Sequence, residues 1–264
     1  MNYEEFLMRK KHSSIDMGIS PILMNDMLFD FQNHIAEYAI RKGRAACFVD
    51  TGLGKTLIEL IVAQNYVLST NKRVLIITPL AVAFQFITEA NKFGIDDVSY
   101  SRDGKLTSKI VICNYERLHL FNSNDYDCVI LDESSILKNY DGKIKEQITD
   151  FIKKTKYRFL FTATPSPNDF IELGTSSEAL GELGYVDMLT KFFVNNEDTI
   201  KPQNIGTKWR LKGHAEEAFF DWVRSWSISV RKPSDIGYSD ERHILPELIT
   251  NFIPVKNNDT LVIN

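Results

Sequence analysis

Five short apolar runs constrain the fold of this chain more than any other feature. They are Ala45-Ala46-Cys47-Phe48-Val49, Val74-Leu75-Ile76-Ile77, Ile110-Val111-Ile112-Cys113, Cys128-Val129-Ile130-Leu131 and Phe159-Leu160-Phe161. A strand with one wet face alternates apolar and polar residues. Continuous runs of this length fit strands buried on both faces of a parallel sheet. Amphipathic stretches separate them. Leu57, Leu60, Ile61 and Gln64 begin one, and Val82, Phe86 and Ile87 suggest another. Ile144, Ile148, Phe151 and Ile152 follow the i, i+4, i+7, i+8 spacing of a helix face. This alternation predicts an α/β domain, a mostly parallel sheet with helices on both faces and right-handed crossovers.

Past Pro165 the texture changes. Residues 166–226 read as an irregular, partly helical excursion from the sheet. Val186, Leu189, Phe192 and Phe193 mark a short helix within it. Ala215, Ala218, Phe219, Trp222, Val223 and Trp226 mark a strong amphipathic helix. Ser227–Val230 and Leu248–Ile253 look like late strands. The expected organisation is a helical cap over residues 1–30, the α/β domain over 31–254 and a tail over 255–264.

Composition narrows the class. At 264 residues the chain holds one large domain, or one and part of a second. It is 44% apolar and 25% charged, which argues against disorder as the main state. Lys and Arg number 31 against 35 Asp and Glu, a net charge of −4. That disfavours a binder working by bulk positive charge and leaves room for a local basic face. Cys47, Cys113 and Cys128 each sit in an apolar run, as buried reduced thiols do, and no zinc-type spacing occurs. No signal peptide and no run of the ~18 apolar residues that span a membrane is present. The expectation is a cytoplasmic protein with no membrane partner.

Between the first apolar run and the helical pattern after it lies Asp50-Thr51-Gly52-Leu53-Gly54-Lys55-Thr56. A glycine-rich turn from strand to helix points backbone N–H groups at an anion, and the helix N-terminus adds positive partial charge. Thr51, Gly52, Leu53, Gly54, Lys55 and Thr56 are therefore candidates for binding phosphates. Lys55 would reach the β- and γ-phosphates and Thr56 would offer its hydroxyl to Mg²⁺. Val49 stands where the full motif has its first glycine, so only the core of the pattern is met.

The fourth run ends in Asp132-Glu133 and the fifth in Thr162-Ala163-Thr164-Pro165. Ligands in open α/β sheets sit at such strand ends. Alone, an apolar run ending in two acids is no more than a solvated strand end. With a phosphate loop upstream, Asp132 becomes a candidate for holding Mg²⁺ and Glu133 for activating water. Thr162 and Thr164 could hydrogen-bond those carboxylates and sense a γ-phosphate.

Together, Gly52–Thr56, Leu131-Asp132-Glu133-Ser134-Ser135 and Thr162–Pro165 resemble the first RecA-like motor domain of superfamily-two helicases and translocases of the Swi/Snf type. The resemblance spans roughly residues 25–235. It implies a RecA-like P-loop fold, ATP and Mg²⁺ as cofactors, and ATP-dependent work on nucleic acid, duplex DNA in that branch. By the same resemblance Gln32, after Phe31, would read the adenine. Pro79 and Leu80, and Asn114 and Tyr115, fall where such motors touch nucleic acid. Leu211–His214 and Ser229–Tyr238 resemble bacteriophage-encoded members, which would place the protein in a bacterial host cytoplasm. Arg231 and Lys232 there are a candidate local DNA contact.

There are departures. The acidic motif ends in Ser134-Ser135, and Asp30 replaces the more usual basic or small residue. The resemblance also implies a second RecA-like domain supplying an arginine finger. No Gln-x-x-Gly-Arg-x-x-Arg-like stretch occurs, and only about 30 residues follow Asp235, too few for such a domain. The chain is thus expected to be a motor half that needs a second domain in cis or trans, with residues 255–264 the tail or the start of a linker to it. Three other readings stay open: a non-hydrolysing regulatory module that binds ATP or DNA, an RNA helicase of the DEAD-box type, and the motor portion of a restriction or repair nuclease.

Overall fold

A computed structural model describes residues 15–139, 142–166, 168–195, 209–243 and 250. Nine strands lie in it: β1 (Arg44–Val49), β2 (Arg73–Thr78), β3 (Val98–Tyr100), β4 (Ile110–Asn114), β5 (Tyr126–Asp132), β6 (Tyr157–Thr162), β7 (Phe193–Asn195), β8 (Trp209–Leu211) and β9 (Ser227–Val230). Seven form one sheet in the order β3-β4-β2-β5-β6-β1-β9. Every pairing in it is parallel. β7 and β8 pair separately and antiparallel.

The continuous apolar runs have the cause expected of them. Alternate residues of a strand point to opposite faces, and both faces are covered. Cys47, Val49, Ile76, Ile112, Ile130 and Phe159 pack on one side against α1 (Asp30–Lys42), α2 (Lys55–Thr70) and α3 (Ala83–Lys92). Ala46, Phe48, Leu75, Val111, Val129 and Leu160 face the other. There they meet α4 (Ile136–Asn139), α5 (Gly142–Lys153), α6 (Leu173–Leu180), α7 (Tyr185–Phe192) and α8 (Glu216–Trp226). Cys47, Cys113 and Cys128 are free thiols, fully buried between the layers.

Three features differ from the sequence reading or add to it. The described helices of 166–226, expected as part of an excursion, lie on the sheet, while β7 and β8 pair apart from it. These helices, α6, α7 and α8, form the second covering layer, with Phe192, Phe219, Trp222 and Trp226 buried against it. The pattern hid α6 because Gly174, Ser176 and Ser177 are small, weakly apolar residues that are nevertheless buried. Residues 15–29 are not a helix. They run as a strap whose Met17, Gly18 and Ile19 amides donate to the Lys42, Arg41 and Ile40 carbonyls, which satisfies groups that a helix end leaves unpaired. The buried amide of Asn65 holds the next stretch through the Ile22 and Leu23 backbone. Finally, β3 was too short and half-buried to register as an apolar run. Residues 1–14 of the expected cap, the strand at 248–253 apart from Thr250, and the tail at 255–264 lie outside the described residues. No helix among the described residues is long and apolar enough to cross a membrane.

Trp226 joins the second layer to the sheet, packing edge-on to Phe48 at 6.2 Å. Replacing it by Ala should cost about 3–5 kcal/mol through the cavity left behind. Denaturant unfolding of Trp226→Ala checks this, and a loss below 1 kcal/mol would mean that α8 packs loosely.

Candidate nucleotide site

The site lies at the C-terminal ends of β5, β6 and β1, three neighbouring strands. Register sets the row: Asp132 pairs opposite Phe161, and Thr162 opposite Phe48. The last residues of β5 and β6 and the loop after β1 therefore emerge side by side.

The loop after β1 turns on Gly52 (φ +81°) and Gly54 (φ +82°), a left-handed backbone that glycine adopts without strain. At Gly54 a Cβ would also run into the Gln32 amide nitrogen. The loop delivers the chain into α2 with Gly54 as its N-cap and no side-chain cap. The first amides of α2 are thus left for an anion. Lys55 Nζ donates to the Val49 and Asp50 carbonyls at 3.0 and 3.3 Å, which folds it over the strand end. Thr51, Gly52 and Gly54 are exposed and Thr56 half-buried, whereas the Leu53 side chain is buried in the core, so only its backbone faces the loop. Gln32 ties this loop to α1. Its Oε1 accepts the Phe29 amide at 3.0 Å, and its Nε2 donates to the Leu53 carbonyl at 2.9 Å.

Asp132 is buried, and its Oδ2 accepts from the Thr78 hydroxyl at 2.7 Å. Burial raises its pKa, opposed chiefly by the Thr78 bond. Glu133 takes a positive φ of +53°. That costs a non-glycine residue on the order of 1–3 kcal/mol, strain of a kind that clusters at functional sites. Its Oε1 accepts from Thr162 Oγ1 at 2.8 Å and from the Ser135 hydroxyl. Ser135, part of the unusual motif ending, is thereby a partner of the acidic pair. Thr164 touches neither carboxylate. Its amide donates to Thr162 Oγ1 at 3.0 Å, and its carbonyl accepts from Lys138 Nζ at 2.6 Å.

The structure puts the proposed nucleic-acid residues in two classes. Leu80 is exposed and Pro79 half-buried, at the rim. Asn114 and Tyr115, expected to face nucleic acid, have buried side chains turned inward. The Tyr115 hydroxyl donates to the Asp132 carbonyl, and Asn114 accepts from Tyr100 and donates to Glu116. Tyr115 thereby braces the backbone of the acidic pair. Arg231 and Lys232 pair with Asp235 and Asp240 of their own turn, at 3.7 and 3.6 Å.

Sequence reasoning took Thr78 only as the start of the segment facing nucleic acid, whereas its hydroxyl holds Asp132, and it passed over Glu59. Glu59 lies one turn beyond Lys55 and is fully buried. Neither of its carboxyl oxygens meets a hydrogen-bond partner among the described residues. Burial first, and then the Asp132 carboxylate, hold it well above the usual carboxylate range, with Lys55 opposing and Glu133 adding a little. Its signal was an acid inside an otherwise apolar helix stretch, Leu57-Ile58-Glu59-Leu60-Ile61.

The Thr56 hydroxyl and the Asp132 carboxylate fit as oxygen ligands of a hard divalent cation, and the bare amides of α2 fit the phosphates beside it. No group of three or more His, Cys, Asp or Glu side chains among the described residues could hold a metal alone.

A raised carboxyl pKa binds a proton in the folded chain that the unfolded chain has already released. Stability contributed at Glu59 therefore falls as pH rises above the unfolded value and keeps falling up to the folded one. Glu59→Gln has no such proton to lose. Its melting temperature should exceed the parent's by a margin that widens between pH 5 and pH 8. Parallel curves would show that Glu59 carries no proton.

The DEAD/DEAH box helicase family matches residues 29–172 of this chain. An uncharacterized ATP-dependent helicase of Bacillus subtilis, YqhH, is 24% identical over 78% of the chain and 43% of its own length. The SWI/SNF-related matrix-associated actin-dependent regulator of chromatin subfamily A-like protein 1 of Xenopus tropicalis is 23% identical over 66% of the chain and 19% of its own length. The chain thus spans less than half the length of these relatives. Among solved structures, the Sulfolobus solfataricus SWI2/SNF2 ATPase core in complex with dsDNA aligns with a TM-score of 0.65 and 21% identity. That alignment covers 84% of this chain and 48% of that one. The seven-stranded parallel sheet is accordingly the RecA-like core of a helicase motor, and the chain belongs to the DEAD/DEAH box helicase family.

Proposed function

We propose that this chain is the ATP-binding half of a nucleic-acid-dependent ATPase of the Swi/Snf type. The observation that carries the reading is the row at the ends of β1, β6 and β5. An uncapped helix N-terminus with Lys55 stands there beside Thr162, Glu133 and Asp132. The triphosphate would lie on the amides of residues 51–56. Lys55, held by two backbone carbonyls, would exchange them for phosphate oxygens, a charge-assisted and stronger contact. Thr56 and Asp132 would hold Mg²⁺, which when bound neutralises charge developing on the phosphates. Glu133 would orient the attacking water and take its proton. Thr162, bonded to Glu133, sits where loss of the γ-phosphate would be felt.

Hydrolysis at speed needs a cation opposite the transferring phosphoryl group, worth ~10³–10⁵ in rate in related NTPases. We assign that role to a second RecA-like domain, in cis or in trans. The nucleic acid is proposed to be duplex DNA, as in the solved Sulfolobus solfataricus complex. Its grip would rest on backbone turns and local patches rather than on bulk charge.

Lys55→Ala should abolish Mg-ATP binding in equilibrium dialysis, and a variant that binds like the parent would sink the phosphate-loop assignment. Glu133→Gln should bind Mg-ATP and lose turnover. The parent chain alone should turn over slowly with or without duplex DNA. Strong DNA-stimulated turnover by this chain alone would overturn the need for a second domain.

A further inference from the structure

Glu59 is fully buried between Ile58 and Leu60, which are buried as well. No donor among the described residues reaches either of its oxygens. A polar group left in that state costs folding energy, so one in a core calls for a partner from outside the chain, a water or an ion.

Its surroundings choose between these. Glu59 follows Thr56 by three positions in α2, and residues so spaced share one helix face. That helix packs on β5, whose last residue is Asp132. The Asp132 carboxyl lies within hydrogen-bonding reach of Glu59, and Glu133 is close enough to be felt there. Lys55 is close too, but its ammonium donates to the Val49 and Asp50 carbonyls. Asp132 gives one oxygen, Oδ2, to the Thr78 hydroxyl. Two carboxyls, acceptors only when ionised, thus face one another, and a hydroxyl shares the helix face of one of them. A water between them would leave two like charges opposed, whereas a divalent cation offsets both. One or two carboxylates, with waters filling the remaining positions, are the protein ligands that Mg²⁺ ordinarily takes. That accords with the lack of any three acidic, His or Cys side chains grouped around a metal among the described residues.

We infer that Glu59 is a ligand of the divalent cation, completing with Asp132 and Thr56 a two-carboxylate site that holds the ion before the nucleotide arrives. This rests on the cation site proposed above and adds to it a residue from inside α2 and an order of binding. Without the ion a proton lies between the two carboxyls, and binding the ion releases that proton to solvent.

Titration of the nucleotide-free chain with Mn²⁺, read by loss of the free-ion paramagnetic resonance signal, tests this. The proteins compared are the parent, Glu59→Gln, Glu59→Asp, Asp132→Asn and Lys55→Ala, with circular dichroism verifying the fold of each. The parent should bind a single Mn²⁺, which Mg²⁺ displaces. Glu59→Gln, nearly the same in shape, should lose at least about tenfold in Mn²⁺ affinity. Asp132→Asn should lose at least as much. Glu59→Asp keeps the charge on a shorter arm and should lose less, a graded loss that misfolding would not produce. Lys55→Ala should keep Mn²⁺ and lose Mg-ATP. A parent that binds no Mn²⁺ without nucleotide, or a Glu59→Gln variant that binds it like the parent, would overturn the inference and leave the ATP reading standing. Mn²⁺ binding that survives Asp132→Asn would overturn the inference together with the cation site it rests on. A Lys55→Ala variant that binds Mg-ATP like the parent would overturn the phosphate loop alone.

Discussion

The parallel register of β5, β6 and β1 is the constraint on which the rest of this molecule depends. In parallel strands all C-terminal ends emerge on one edge, and side chains from distant sequence positions become neighbours there. Asp132 opposite Phe161 and Thr162 opposite Phe48 fix the row. Thr162 can then reach Glu133 at 2.8 Å, and the loop after β1 opens beside both. A shift of one residue in any of the three strands would turn every side chain to the other face. Both faces are dry, so the cores against α1–α3 and α4–α8 hold that register.

Around this row the protein concentrates groups that a core ordinarily excludes. Asp132 and Glu59 are both buried carboxyls with raised pKa, burial being the leading cause in each. Glu133 has a strained backbone and two hydroxyl partners on one oxygen. Thr78 and Tyr115, from the ends of β2 and β4, clamp Asp132 through its side chain and its carbonyl. Four strand ends thus determine where two carboxylates point, an arrangement suited to handling a metal-bound phosphate and a water molecule.

Much of this was legible in the sequence, for local reasons. Continuous apolar runs of this length fit strands buried on both faces, and the structure has all five in one parallel sheet. The turn at Gly52 and Gly54 declares itself through residue type, because φ near +80° is open to little else. What was illegible was non-local. α6 escaped because much of its buried face is made of small residues, and the covering role of α7 and α8 because it depends on which face they meet. Asn114 and Tyr115 look like surface turn residues in sequence, yet a neighbouring strand takes their side chains inward. Glu59 drew no attention because its environment belongs to β5, which lies some seventy residues further along the chain.

The sequence by itself determined the fold class, the glycine-rich turn and the position of the acidic pair, since periodicity, glycine conformation and residue chemistry are written in consecutive positions. The tertiary structure decided the partners. Glu133 is bound by Thr162 and Ser135, while Asp132 is bound by Thr78 and faced by Glu59. It also decided that Gln32 ties α1 to the glycine-rich loop after β1 and that the segment after β9 returns to face Phe29 and Phe31. The physical reason is that hydrogen bonds and burial depend on distance in space, which strand order and register set and sequence spacing does not.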